Sequence, residues 1–491
     1  MYLYNSSSKL VSAYLIIFCF FFCHIITAAV DVPSRRSLLD GLSAQERTHA
    51  FYYLWYGSPE TDDGSYYHWN HEILPHWNQV ERKNYPFGVP FNPPHCLHSP
   101  YYPLRGPYSS KNPQIIRQHL KELSEHNVGV IVASWWGPRH RVGAHDTQGM
   151  NTDERLEILL TETAAFNAGD PSSTPIRVAL HLEPYEGRTV QTIYEDLKYL
   201  HEQYGKSPAL FRLPAGESGR PVMYVYDSYR IPTADWIQLL GQGQNEKGER
   251  RKEEGSRINS SPSSLVKSIR GTPLDAVLLG LWLNEHDGVQ LYDSGFDGFY
   301  TYFASESTSF ASQPGNWPRL QKWADDRDMI FSASVSPGYD DRRIRPWNSG
   351  STSPRNQGLR YASRWDSAIQ SDPDWISITS YNEWGEGTQI EPAVPYDDPP
   401  LPAKCLPYES YRPQNAMLYV DLTKYHVDRW GTKPKSVRLA QAGKKRETRK
   451  GEEGGVRGEE GGVRREDGER REDGERKEGK EVEVGKRKDE L

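Results

Sequence analysis

The sequence predicts a (β/α)8 TIM barrel, on three observations. Short apolar runs, β-branched or aromatic and bounded by Gly, Pro or Asp, alternate with amphipathic stretches from about Thr48 to Trp430. The runs number eight. Each leads into a polar, aromatic cluster, as expected where strand ends form one rim. A chain of 491 residues has room for two or three domains. The regular alternation instead assigns 48–430 to a single catalytic domain with long βα loops.

The strand-like runs are Thr48 to Gly57, Val128 to Trp136, Ile176 to Tyr185, Val222 to Tyr229, Ala276 to Leu283, Gly298 to Phe303, Met329 to Tyr339 and Trp375 to Asn382. Helical stretches read over Asn112 to His126, Asp153 to Asn167, Thr189 to Tyr204, Ala234 to Leu240, Trp317 to Arg327 and Gly358 to Gln370. The run ends carry chemistry. The first ends in Tyr56 and leads to His68-Trp69-Asn70-His71, the second ends in Ser134-Trp135-Trp136, and the third in His181-Leu182-Glu183-Pro184-Tyr185. The sixth ends in Tyr300-Thr301-Tyr302, the seventh leads to Arg345-Pro346-Trp347-Asn348, and the eighth opens onto Glu383-Trp384-Gly385-Glu386. Tyr226 and Trp282, lying inside strand runs, read as core.

Two insertions interrupt the pattern. His76 to Asn112 is rich in Pro and Tyr, the kind of long first loop that shapes a substrate groove. Residues 241–264 are rich in Lys, Glu, Gly and Ser and read as a mobile excursion carrying the glycosylation pattern Asn259-Ser260-Ser261.

Both termini read as targeting segments. Leu15 to Ile26 is nearly continuous in apolar residues, with Lys9 before it and Thr27-Ala28-Ala29 after it. Residues 1–29 therefore read as a signal peptide, favoured by the small residues after the run, or as a signal anchor. Residues 442–491 are low-complexity. Gly451 to Arg457 recurs as Gly458 to Arg464, and such a charged segment cannot bury apolar surface. It ends in Lys488-Asp489-Glu490-Leu491, an endoplasmic-reticulum retrieval signal that a KDEL receptor would read. The expected location is the lumen of the secretory pathway, endoplasmic reticulum or Golgi, with membrane attachment if the first segment is retained.

Aromatic residues make up 12% of the chain, including 14 Trp and 30 Tyr, which suits stacking against the flat C–H faces of sugars. A net charge of -7 gives no reason to expect nucleic acid. With no CxxC pair and no HExxH, neither a metal nor an organic cofactor is expected. Outside the first segment only Cys96 and Cys405 remain, and their spacing leaves open whether they pair.

The pair Glu383 and Glu386, with Trp384 between and Asn382 before, sits where the last strand breaks into a glycine-rich loop. Two acids beside an aromatic platform are what glycosidic bond cleavage requires. Two carboxylates in one cleft resist double ionisation, so one stays protonated as an acid.

These blocks together, with Tyr224-Val225-Tyr226-Asp227-Ser228-Tyr229, Gly295-Phe296-Asp297-Gly298-Phe299-Tyr300-Thr301-Tyr302-Phe303 and Thr388-Gln389-Ile390-Glu391, resemble glycoside hydrolase family 99, the endo-α-1,2-mannosidases. The resemblance implies a retaining (β/α)8 enzyme that cuts an internal α-1,2-mannosidic bond in high-mannose N-glycans, glucosylated in the lumenal animal members. It implies Glu386 as general acid and then base. Glu383 would take the proton of the sugar's own 2-hydroxyl, which attacks the anomeric carbon to give a 1,2-anhydro sugar. His181 and Glu183 would bind the mannose being cleaved, and Tyr302 would lie beside its anomeric centre. Arg345 would contact the leaving-group mannoses and Trp136 would stack on the sugar one step beyond. Tyr56 and His68 complete the expected substrate-binding set. Trp136 departs from the Tyr of the lumenal animal members and is similar to bacterial members that take mannose there. A non-catalytic high-mannose-binding lectin is the alternative of another class. It needs the aromatics but not both acids.

Overall fold

The computed structural model describes residues 35–432, apart from 172, 215, 217, 242–265, 306–308, 397–400 and 403–404. The first segment, the insertion with Asn259 and the charged tail lie outside the described residues. No described helix is long and apolar enough to cross a membrane.

Eight parallel strands close into a barrel. They are β1 (Thr48–Tyr52), β2 (Val130–Trp135), β3 (Arg177–Leu182), β4 (Arg220–Val225), β5 (Val277–Leu281), β6 (Gly298–Tyr300), β7 (Ile330–Val335) and β8 (Trp375–Ile378). Neighbours in sequence are neighbours in the sheet, and β1 pairs β8 through Thr48↔Ile376, His49↔Ser377 and Ala50↔Ile378. Both faces of these strands are covered, which is why the runs are almost wholly apolar. Each fully buried Val, Leu or Ile contributes roughly 1.5–3 kcal/mol.

Helices follow the strands in turn: α1 (Pro113–Glu125), α2 (Asp153–Gly169), α3 (Val190–Tyr204), α4 (Thr233–Leu240), α5 (Asp287–Asp293), α6 (Trp317–Arg327), α7 (Leu359–Ser371) and α8 (Leu418–Thr432). Local signals set their starts. Asn112 accepts a hydrogen bond from Gln114 N, with Pro113 in the first turn. Thr189 and Thr192 form a reciprocal cap at α3. Two of these helices, α5 and α8, are additions to the six stretches read from sequence. α5 has only seven residues and carries Gly288, whose bare backbone lies against the Trp282 ring. α8 is held to the barrel by Arg47 over Trp430 (4.2 Å) and by His426 stacked on Trp365 (5.6 Å).

The strands are shorter than the runs predicted for them. The first apolar run extends to Gly57, yet β1 ends at Tyr52. From Tyr53 the backbone bonds to a side chain instead of a neighbouring strand: Asn382 Oδ1 accepts from Tyr53 N (2.7 Å), and Asn382 Nδ2 donates to Tyr53 O (3.0 Å).

The barrel interior is a column of aromatic layers. His49 stacks on Trp375 (4.7 Å) and hydrogen-bonds Tyr224 (2.7 Å) at the lower end. Phe51 packs on Tyr224 and His181 above them, and Tyr302 and Tyr226 lie at the top, 5.0 Å apart. This filled interior is a floor under the C-terminal rim.

The first and last loops are joined. Tyr102–Pro103 pairs antiparallel with Ala393–Val394, and a disulfide links Cys96 to Cys405, with Cα atoms 5.7 Å apart.

Candidate active site

The C-terminal rim opens onto a cavity of roughly 950 Å³, counting its open mouth. Glu383, Glu386, Trp136, His181, Glu183, Tyr302, Arg345 and His68 all line it. These side chains come from four strand ends and the first and seventh loops.

The two glutamates hang from a loop that is fixed on three sides. Asn382 clasps the end of β1 through both Tyr53 backbone groups. Ser380 Oγ accepts from Glu383 N (2.7 Å), and Asp340 N donates to Glu386 O (2.7 Å). Trp384, fully buried between them, donates through Nε1 to Glu391 (3.0 Å). Glu391 is wholly buried and also accepts from Tyr108 (2.8 Å) and faces His119 (3.0 Å) and Arg105 (3.3 Å). Burial pushes its carboxyl up, but His119, Arg105 and Tyr108 outweigh that, leaving it below the usual carboxylate range. Gly385 completes the turn. A Cβ there would come within 2.6 Å of His98 Nε2, so only glycine lets the loop pass.

Glu383 is 6% exposed, and its Oε2 has no hydrogen-bond partner in the protein. Burial, then the neighbouring Glu386 charge, pushes its carboxyl well above the usual range. Glu386 retains more solvent, its side chain being 19% exposed. Burial pushes it up to about 7 against the opposing charge of Arg345, whose guanidinium lies 3.5 Å away. Arg345 is itself held by Asp341 (3.1 Å), a buried carboxylate that also accepts from Tyr339 (2.8 Å) and Asn348. Protons on two such groups belong to the pair. The pair therefore retains a proton near neutral pH and can serve as acid and base together.

On the opposite wall His181 lies between Tyr300, which hydrogen-bonds Nε2 (2.9 Å), and Glu183, whose Oε1 is 2.9 Å from Nδ1 but not aligned for a hydrogen bond. Ser134 donates to that same Glu183 oxygen (2.8 Å). Tyr302 sits in the left-handed region at φ 50, an uncommon state for a bulky residue. It is held there by Ser334 Oγ, which accepts from its N (2.8 Å), and by Thr379, which donates to its carbonyl (2.6 Å). Its hydroxyl meets that of Tyr53. Trp136 presents a buried Nε1 with no partner. His68 pairs with Asp146 (2.5 Å) and stacks flat on Trp55 (4.3 Å, 7°).

Tyr56 does not line the cavity, contrary to its assignment as a substrate-binding residue. It is fully buried, donates to Asn382 O (2.9 Å) and accepts from Trp384 N (3.1 Å), so it supports the acid loop from behind. Strand alternation explains this: Tyr53 and Trp55 share the opposite face, and both line the cavity. Alternation could have found them from sequence. Tyr226, read as core, also lines the cavity, one residue beyond the end of β4. His71 and His98 also line the cavity, and no spacing in the sequence marks His98. Glu285, at the end of the fifth run, turns away and pairs with Arg319 at the surface (2.8 Å). Among the described residues there is no group of three His, Cys, Asp or Glu side chains that could hold a metal ion.

The pattern of Glycosyl hydrolase family 99 matches residues 43–259 and 254–432. The chain belongs to this family. It is a glycoside hydrolase. It is 37% identical over 396 residues to the rat glycoprotein endo-alpha-1,2-mannosidase, covering 80% of this chain and 76% of the relative. The human glycoprotein endo-alpha-1,2-mannosidase-like protein is 37% identical over 378 residues, covering 77% and 74%. Among solved structures, the GH99 endo-alpha-mannosidase from Bacteroides thetaiotaomicron superposes with a TM-score of 0.64 at 34% identity, covering 78% of this chain and 97% of that one. The family match spans the barrel and both acids.

Proposed function

We propose that this family 99 hydrolase is a retaining endo-α-1,2-mannosidase acting on high-mannose N-glycans, glucosylated or not, and releasing a disaccharide. The observation that carries the reading is the proton-holding pair Glu383 and Glu386 in one cavity with His181, Glu183 and Tyr302.

In this reading the mannose being cleaved lies over Tyr302 with its hydroxyls toward His181 and Glu183. Glu383 Oε2, which has no protein partner, accepts the 2-hydroxyl of that sugar. A hydrogen bond to the ionised form favours ionisation, so substrate leaves the shared proton to Glu386. Glu383 then removes the 2-hydroxyl proton as that oxygen attacks the anomeric carbon, and Glu386 protonates the departing oxygen. The product of this step is a 1,2-anhydro mannose. Glu386, now ionised, takes a proton from water as that water attacks the anomeric carbon, and Glu383 returns its proton to the 2-oxygen as the three-membered ring opens. The anomeric carbon is inverted twice, so its configuration is retained. Arg345 stabilises the carboxylate form of Glu386 in the second half of the cycle.

Trp136 at the next sugar favours mannose there. The named relatives are glycoprotein enzymes, and the Cys96–Cys405 disulfide suits an oxidising lumen. Both support a place in the secretory pathway.

The test is digestion of matched glycans ending in Glc-α-1,3-Man or Man-α-1,3-Man, with mass measurement of the product and a parallel Glu386→Gln enzyme. A disaccharide from the wild type and none from the variant is expected. Glycan binding without release by the wild type would establish the lectin reading instead.

A further inference from the structure

The first loop carries an aromatic cluster that the cavity does not use. Trp77 is 66% exposed, an unusual position for so large a ring. It is not a loose side chain. His76 stacks behind it at 5.0 Å and 29°, and Tyr85 stacks behind His76 at 5.6 Å and 7°. Trp347 closes the stack edge-on to both His76 (5.2 Å) and Tyr85 (5.9 Å). The result is an indole backed by other rings and facing solvent.

The position of this stack bears on its use. Leu74 and Ile344 line the catalytic cavity, and Leu74 N donates to Ile344 O (2.9 Å). That contact joins the first loop to the seventh. His76 and Trp77 follow Leu74 by two and three residues, and Trp347 follows Arg345 by two. The aromatic stack therefore continues the cavity wall outward on the side of Arg345.

We propose that the Trp77 platform is a second carbohydrate-binding site, holding a mannose residue of the glycan beyond the leaving group. The proposal rests on the reading of the enzyme as one that cuts inside a branched glycan. Such a substrate extends past the cavity, and its pyranose rings present flat C–H faces of the kind a pre-stacked indole accepts with little loss of side-chain freedom. A large exposed ring continuous with a sugar-binding wall thus acts as an extended subsite.

The experiment compares two substrates: an intact high-mannose N-glycan, and the isolated oligosaccharide arm that contains the scissile bond. Trp77→Ala should lower kcat/KM on the intact glycan about fivefold, mainly through KM, while the ratio between the two substrates falls by the same factor. Trp77→Phe should recover most of the ratio. A ratio unchanged from wild type, or an equal loss on both substrates, overturns the proposal. Binding of the intact glycan, measured by calorimetry in a Glu386→Gln background with and without Trp77→Ala, gives a readout independent of turnover. Equal affinities there also overturn it. If the wild type cleaves neither substrate, the proposed activity fails while the binding arm still decides the platform. If Trp77→Ala alters sedimentation with no change in the substrate ratio, the patch is a contact between copies of the chain and the proposal falls.

Discussion

Removing the carboxylate of Glu386 should make this protein more stable above neutral pH. In Glu386→Gln the titrating group is replaced by a neutral amide of the same shape. The folded-state pKa of Glu386 is raised from 4.5 to about 7, chiefly by burial. A carboxyl raised on folding contributes its stability in full below its unfolded pKa and loses it as pH rises through the folded value. That shift corresponds to about 3 kcal/mol, and about 2 kcal/mol once the solvent reaching a side chain 19% exposed is allowed for. Arg345 loses one partner in the variant but keeps Asp341 at 3.1 Å, which reduces the gain to about 1–2 kcal/mol. Glu383 gains as well, since the Glu386 charge is the second cause of its raised pKa. Urea unfolding of both proteins at pH 4.5 and pH 8 measures the effect. The two should coincide at pH 4.5, where Glu386 is protonated and resembles the amide, and the variant should be the more stable at pH 8. A stability gap independent of pH, or one favouring the wild type at pH 8, would refute the argument that burial, opposed by Arg345, governs this carboxyl.

Other outcomes follow from the same geometry. The proposed mechanism needs a single proton on the pair, so kcat/KM should fall as pH drops below about 7, where both carboxyls hold protons, and a pH–rate profile should show that acid limb. Glu391→Gln should lower kcat about a hundredfold with little change in KM, because Trp384 loses its carboxylate partner and the acid loop shifts; the same variant should unfold earlier, because Arg105 loses its 3.3 Å ion pair with Glu391 while retaining Glu122. Unaltered turnover in it would remove Glu391 from the positioning role. Trp136→Tyr should shift preference toward the glucose-terminated glycan, read as the ratio of rates on the two matched substrates.

The barrel was legible because its signal is periodic. Eight buried parallel strands need eight apolar runs, and the chain supplies them. The strand ends were less legible, for a physical reason. The runs extend past the strand ends into the rim, where Tyr53, Trp55 and Tyr302 leave the sheet, Glu183 and Tyr226 keep one backbone bond each to the neighbouring strand, and the residue types stay the same. A run of aromatic residues does not reveal where pairing stops, since that depends on partners such as Asn382, 329 positions from Tyr53. The same limit separates Tyr226, facing the cleft, from Trp282, which packs under Trp323 and Phe299. The carboxylate pair was visible as a motif. The support beneath it was not, because Glu391, Tyr108, His119 and Arg105 meet only in three dimensions. α8 did carry a signal, its buried residues Tyr419, Val420, Thr423, His426, Val427 and Trp430 following helical spacing, whereas seven-residue α5 offered too short a window.

The pairing of β1 with β8 has a consequence for when the enzyme comes into being. The acid-bearing loop is attached at the seam where the first strand meets the last. A chain emerging from the ribosome can complete seven of its eight staves and still hold no catalytic pair. The step that shuts the cylinder is the one that brings Asn382 to Tyr53 and draws the two glutamates over the mouth. Competence for the proposed chemistry therefore depends on closure, because the acid loop is clasped through Asn382 to the end of the first strand.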